Sequence, residues 1–240
     1  MFSSNFRWAS SNGPCMVGRM AGNREKIIEG ARQLMNREGV SATGTTRIAE
    51  ALGVSPGNLY YHFKSREQIV AEIYAGFEAG FRESLIAGLD RDITPDRFAA
   101  FYINAVDFAW TYRFFFAGQT DLLAADSALA RRHRAFQIWS LEALEDIVSM
   151  LAKQGTAKLP RGRAEAARLR ASIALNTWLT WSGWISFLKV EKPEGALVRG
   201  DMARGALQIF DVFAPWLDPA FEQAARKLLV RELSREEAVA

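Results

Sequence analysis

From Asn23 onward, apolar residues return every three to four positions, and no stretch alternates long enough to suggest a strand. That period predicts an all-α chain. Asn23 stands as N-cap to a first helix with Ile27, Ile28, Ala31, Leu34 and Met35 on its inner face, and Gly39 is placed to end it. Thr45 or Thr46 caps a short second helix that turns Ile48, Ala49 and Leu52 inward and stops at Gly53. Ser55-Pro56 then supplies an N-cap and a proline at the first helical position, where its missing N–H costs nothing. The third helix runs only to about Phe63, with Leu59 and Phe63 as its inner side. A fourth opens on the capping box Ser65-x-x-Gln68. Ile69, Ile73, Phe77, Phe81, Leu85 and Leu89 mark one stripe along its length.

The pattern continues into a larger body. Thr94-Pro95 starts a helix that runs through Phe98, Tyr102, Val106 and Trp110 towards Phe116 and breaks at Gly118 to Asp121. A long helix follows from about Ser127 to Lys153, and Gly155 to Gly162 reads as a loop. The next helix spans Arg163 to Val190. Lys192-Pro193-Glu194-Gly195 separates it from a helix around Met202 to Phe213, and a tail helix follows Pro215 to Pro219. The expected organisation is an N-terminal extension over 1–20, a compact helical unit over 21–66 and a helical body over 67–240.

Charge distribution sharpens this division. The overall formal charge is only +3, but nine basic residues face four acidic ones between Met1 and Arg66, and the remainder is slightly acidic. A basic head on an acidic body suits a protein that presents one end to a polyanion. Met1 to Met20 is rich in Ser, Asn and Gly, reads as disordered and lacks the apolar run of a signal peptide. Met16 and Met20 each offer an alternative start. The single cysteine, Cys15, allows no internal disulfide, which fits a reducing cytoplasm.

The chemistry concentrates in Thr45 to Lys64. Two short helices joined by a tight turn at Gly53 form a helix-turn-helix, whose second helix enters a major groove. Ser55 and the free amides beside it favour phosphate or base acceptors. Gly57 lets backbone approach closely, and Asn58 can donate to and accept from a base edge, adenine above all. Tyr60 and Tyr61 lie off the Leu59/Phe63 side, free to bond phosphates or pack on sugar and thymine methyls. Lys64 and Arg66 follow the helix in position for phosphate. His62 reads as a hydrogen-bonding residue, since no nucleophile or acid is spaced to serve it.

These residues carry a resemblance. Thr46-Arg47-Ile48-Ala49, then Gly53-Val54-Ser55-Pro56-Gly57-x-Leu59-Tyr60-Tyr61-His62-Phe63, is similar to the DNA-binding signature of the TetR family of regulators, over about Arg24 to Ile73. The resemblance implies a homodimer that places its two third helices in the halves of a near-palindromic operator. The family's contact positions fall on Thr45, Thr46, Ser55, Pro56, Gly57, Asn58, Tyr60, Tyr61, His62 and Lys64. It also implies a four-helix dimer interface, here 163–190 and 202–213, and a variable C-terminal domain that binds a small effector. Repression is the commoner outcome in the family.

Within the body, Ala171 to Leu188 carries no charge, so a membrane span has to be weighed. Its Ser172, Asn176, Thr177, Thr180, Ser182, Gly183 and Ser186 argue instead for a helix buried in protein. The surplus of large rings, with 7 Trp and 16 Phe in the chain, suggests an apolar effector pocket. Its expected lining is Trp110, Phe136, Trp139 and Trp178, with Arg113, His133, Gln137 and Asn176 as polar members; the expected effector is hydrophobic or aromatic, with an acidic group facing Arg113 or His133. No catalytic residue, metal ligand or cofactor is assigned. The rival reading is a helical ligand-binding or interaction protein without DNA binding.

Overall fold

The computed structural model describes residues 22–86, 92–193 and 197–237. Among them the regular structure is helical, apart from one isolated bridge between Ala157 and Leu217. Three short helices, α1 (Asn23–Glu38), α2 (Thr45–Leu52) and α3 (Pro56–His62), make an N-terminal head, and α4 (Arg66–Ile86) leads out of it. The body comprises α5 (Pro95–Thr111), α6 (Arg113–Ala125), α7 (Ser127–Lys153), α8 (Arg163–Glu191), α9 (Arg199–Phe213) and α10 (Pro219–Glu237). Met1 to Met20, Cys15, Leu89 and the Glu194-Gly195 part of the expected linker lie outside the described residues.

The head is built as its apolar period requires. Ile27, Ala31, Leu34, Met35, Ile48, Ala49, Leu59 and Phe63 are buried together, and Ile69 and Val70 at the start of α4 complete that core. Gly53 ends α2 in the left-handed region, at φ 63°, a conformation that glycine adopts without strain. Ser55 caps α3 through its Oγ, which accepts from the Asn58 N–H at 3.2 Å, and Pro56 follows in the first turn.

Several local expectations are corrected. Asn23 lies inside α1, and Gly22 occupies the capping position. Neither Thr45 nor Thr46 caps α2; Gly44 precedes it in an extended conformation. The box at Ser65 is offset. Ser65 Oγ accepts from the Gln68 N–H at 3.4 Å, but Gln68 Oε1 accepts from the Lys64 N–H at 2.7 Å, one residue before the expected donor. The helix through Trp110 breaks at Tyr112, and Gly118 makes only a kink inside α6, at φ −122° and ψ 18°. α9 begins at Arg199, ahead of Met202, because the Asp201 carboxylate accepts from the Val198 N–H at 2.9 Å and pairs with Lys192.

The break at Tyr112 has a tertiary cause. Asn36 on α1 donates from Nδ2 to the Thr111 carbonyl at 2.8 Å and accepts at Oδ1 from the Phe114 N–H at 3.0 Å. One side chain therefore satisfies backbone groups on both sides of the break. Arg32, also on α1, donates to the same Thr111 carbonyl and lies over the Tyr112 ring at 5.6 Å. Head and body are latched at this point.

α4 runs from the head into the body with Ile73, Tyr74, Phe77 and Leu85 buried. Phe77 sits among Tyr112, Phe115, Phe116, Phe136 and Trp181, so α4 is embedded in rings from four other body helices or their junctions. No helix among the described residues is long and apolar enough to cross a membrane. In α8, Ile173, Ala174, Trp178, Trp181, Ile185 and Leu188 face the core.

Candidate nucleic-acid interface and effector cavity

α3 separates its residues by function. Leu59 and Phe63 are buried against the head, whereas Tyr60 and Tyr61 are 59% and 78% exposed. Hydroxyl-tipped rings held outward by a helix with a buried inner face can meet sugar and phosphate without unfolding anything. Ser55, Pro56 and Gly57 are exposed at the start of α3, and the half-buried Asn58 has no side-chain hydrogen bond among the described residues. Lys64 Nζ donates to the Tyr60 carbonyl at 2.8 Å and lies 4.2 Å from that ring's centre, which keeps a cation beside the tyrosines. His62 packs edge-on to Tyr61, with ring centres 5.1 Å apart. Thr45 is half-buried and Thr46 exposed at the start of α2. All ten residues expected to face DNA thus keep some exposure on α2, α3 or the residues that flank α3.

Arg47 differs. Its guanidinium pairs with Glu38, with Nη2 at 2.7 Å from the carboxylate, and the ion pair holds the Glu38 carboxyl below the usual range. That pairing ties α2 to the end of α1. Arg66 donates to the Val40 carbonyl at 3.3 Å and pairs with Glu67, so it braces the junction between head and α4.

The body contains an apolar cavity among α4, α5, α7, α8 and α9, with about 650 Å³ of empty space, part of it open to solvent. Its walls include Phe81, Tyr102, Trp178, Trp181, Trp184 and Met202. Gly205 allows the walls to meet: a Cβ there would lie 2.7 Å from the Trp184 ring. Of the eight residues expected to line a pocket, only Trp178 does so.

The other seven do not meet in this cavity, for physical reasons. Phe136 is fully buried core, edge-on to Phe77 and Tyr74. Trp110 and Trp139 are each covered by a guanidinium, Arg113 at 4.0 Å and Arg82 at 4.1 Å from the ring centres. Arg113 also donates to the Trp110 carbonyl at 2.8 Å, so its charge stays at the α5–α6 junction. Gln137 is half-buried on α7 away from the cavity walls, and Asn176 is exposed and donates to the Ser172 carbonyl at 2.8 Å. His133 is buried, with Nδ1 2.9 Å from the Tyr74 hydroxyl and Nε2 2.8 Å from the Gln119 amide. Burial pushes its pKa down to about 4, so the imidazole is neutral at pH 7 and is no counter-ion for an acid.

A surplus of rings does not tell core from cavity, because core rings and cavity rings share the helical period. Phe81, Tyr102, Trp181 and Trp184 are cavity residues that the pattern alone could not separate from core. Gly205, a glycine inside a helical pattern, is the one sequence signal of a close approach on that wall.

Comparison with known proteins bears on both regions. Residues 27–73 match the family model described as bacterial regulatory proteins of the tetR family, and residues 76–225 match one described as a bacterial transcriptional repressor of the TetR type. The transcriptional repressor KstR2 of Rhodococcus jostii is 34% identical over 91 residues, covering 36% of this chain and 45% of that protein. The regulator AcrR of Shigella flexneri is 37% identical over 60 residues, covering 25% of this chain and 28% of that protein. The chain therefore spans less than half the length of these curated relatives. The crystal structure of a TetR-family regulator from Marinobacter aquaeolei superposes with a TM-score of 0.77 at 30% identity, covering 88% of this chain and 98% of that one.

Proposed function

This chain belongs to the TetR family of bacterial regulators, and from that premise we propose that it is a DNA-binding transcriptional repressor released from its operator by a small hydrophobic or aromatic molecule. The observation that carries the reading is the outward face of α3, where Tyr60, Tyr61, Asn58 and Lys64 stand together over a buried Leu59/Phe63 side. Residues 21–66 act as the reading head and 67–240 as the effector-binding and dimerisation body. The protein works in the cytoplasm as a homodimer, with the two copies of α3 in half-sites one helical turn apart, about 34–36 Å, or a multiple of it.

The dimer contact is assigned to the outer face of α8 together with α9. Leu175, Leu179 and Phe187 are exposed there, interspersed with Ser182, Gly183 and Ser186, which permit close helix approach. A groove beside them, between the kink at Gly118 and Gly183, gives a partner side chain a place to seat.

Coupling follows from α4. Its first turns pack in the head, and Phe81, four turns on, is a wall of the cavity. An occupant that presses Phe81 and Trp181 favours one setting of α4 over another and so changes the spacing of the two copies of α3, a coupling of about 1–3 kcal/mol. A gel shift with the DNA upstream of the chain's own gene is the direct test. Salt-sensitive, sequence-selective retardation supports the reading; equal affinity for unrelated DNA, or none, favours a helical binding protein without operator recognition.

A further inference from the structure

Resting on the reading of the cavity as the effector site, we propose that it takes an uncharged, mostly apolar molecule with one hydrogen-bond-accepting oxygen, received by the indole N–H of Trp181. Trp181 is only 8% exposed, and its Nε1 is buried without a hydrogen-bond partner among the described residues. A buried donor left unpaired is costly, and native proteins satisfy nearly all of them. The ring cannot easily turn away to find another partner. It stands edge-on to Phe116 at 4.6 Å, lies against Phe81 at 5.0 Å and stacks on Phe77 at 6.2 Å.

The rest of the wall fixes the class of ligand. Among the described residues, no Asp, Glu, Lys, Arg or His lines the cavity. An anion or cation there would lose its hydration with no counter-charge to replace it. Arg82, the nearby cation on α4, is held by Glu78 and Trp139. Two of the wall's polar groups are already engaged, since Ser140 Oγ donates to the Phe136 carbonyl and Trp184 Nε1 to the Asp201 carbonyl, both at 2.8 Å. The remaining polar side chains of the wall, Tyr102, Thr177 and Trp178, are neutral, so the lining carries no charge. A carbonyl or ether oxygen on an apolar frame satisfies the indole and keeps the rest of the molecule against apolar walls.

The test is calorimetric titration of the full chain with 2-acetylnaphthalene, 2-ethylnaphthalene and 2-naphthoate, which share a frame and differ in the acceptor and the charge. The ketone is expected to bind about tenfold more tightly than the ethyl compound, with the carboxylate weakest. Trp181→Phe keeps an aromatic side chain but removes the N–H donor, so the ratio of ketone to ethyl-compound affinity should fall to about one, whatever the change in overall affinity. In proton–nitrogen spectra the indole signal missing from that variant should move downfield with the ketone alone. Equal binding of ketone and ethyl compound, preference for the carboxylate, a ketone advantage that survives Trp181→Phe, or no binding of any probe overturns the proposal. Gel shifts without probe separate the two readings. Operator binding without the probe pattern defeats only this inference, whereas the probe pattern without operator binding defeats only the repressor.

Discussion

α3 and α8 both hold large apolar side chains out of the protein, but in different chemical company. On α3 the exposed rings are tyrosines, tipped by hydroxyls, with Lys64 over one and His62 against the other. On α8 the exposed residues are Leu175, Leu179 and Phe187, set among serines and a glycine in a stretch without charge from 171 to 188. Exposure alone would mark both as sticky. Polar tips and a tethered cation suit a surface that meets phosphate and sugar, where water is only partly expelled. Bare aliphatic and aromatic groups suit a contact that closes dry against protein.

The contrast is sharpest within α3 itself. Phe63→Ala should cost about 3–5 kcal/mol in urea unfolding, because it empties the head's core. Tyr61→Ala should leave stability within about 0.5 kcal/mol while weakening operator binding. Equal stability losses would mean that α3 has no free outer face. Leu179→Asp places a carboxylate in the dry contact and should cost association more than about 3 kcal/mol, read as a shift to monomer in sedimentation. A dimer that survives this change would move the interface away from α8.

His133 checks that the Tyr74–His133–Gln119 array is structural. Its folded pKa, about 4, lies below the ordinary 6.5, so the unfolded chain takes up a proton first on acidification. The stability it contributes is complete above pH 6.5 and falls away towards pH 4, by an amount on the order of 2–3 kcal/mol. His133→Gln should flatten the decline in that window, and an unchanged slope would refute the assignment. Asn58→Ala should lower specific affinity by about 1–3 kcal/mol and relax base preference, measured by competition with altered operators. Lys64→Ala should have the smallest effect, weakening all DNA alike and reducing the salt slope by about 1.

The head was largely legible because its determinants lie close together along the chain. Ser55, Pro56, Gly53 and the four-residue spacing of Leu59 and Phe63 specify α3 within a dozen positions, and the structure has them in those roles. The body was legible as helices but not as a site. The turn at Tyr112 could not be read locally, since its backbone groups are satisfied by Asn36, 75 and 78 positions away. Similarly, His133 looks like a ligand group in isolation, and only its partners Tyr74 and Gln119, on other helices, reveal that it is engaged.

By itself, then, the order of residues determined the helical class and which side of each helix is apolar, because glycines, prolines and the helical period act within a turn or two. Tertiary structure alone decided which rings pack solid and which surround a void, since Phe136 and Trp181 obey the same period and differ only in what other helices bring against them. Packing is a property of neighbours in space, and five helices meet to leave the Trp181 indole N–H without a partner among the described residues.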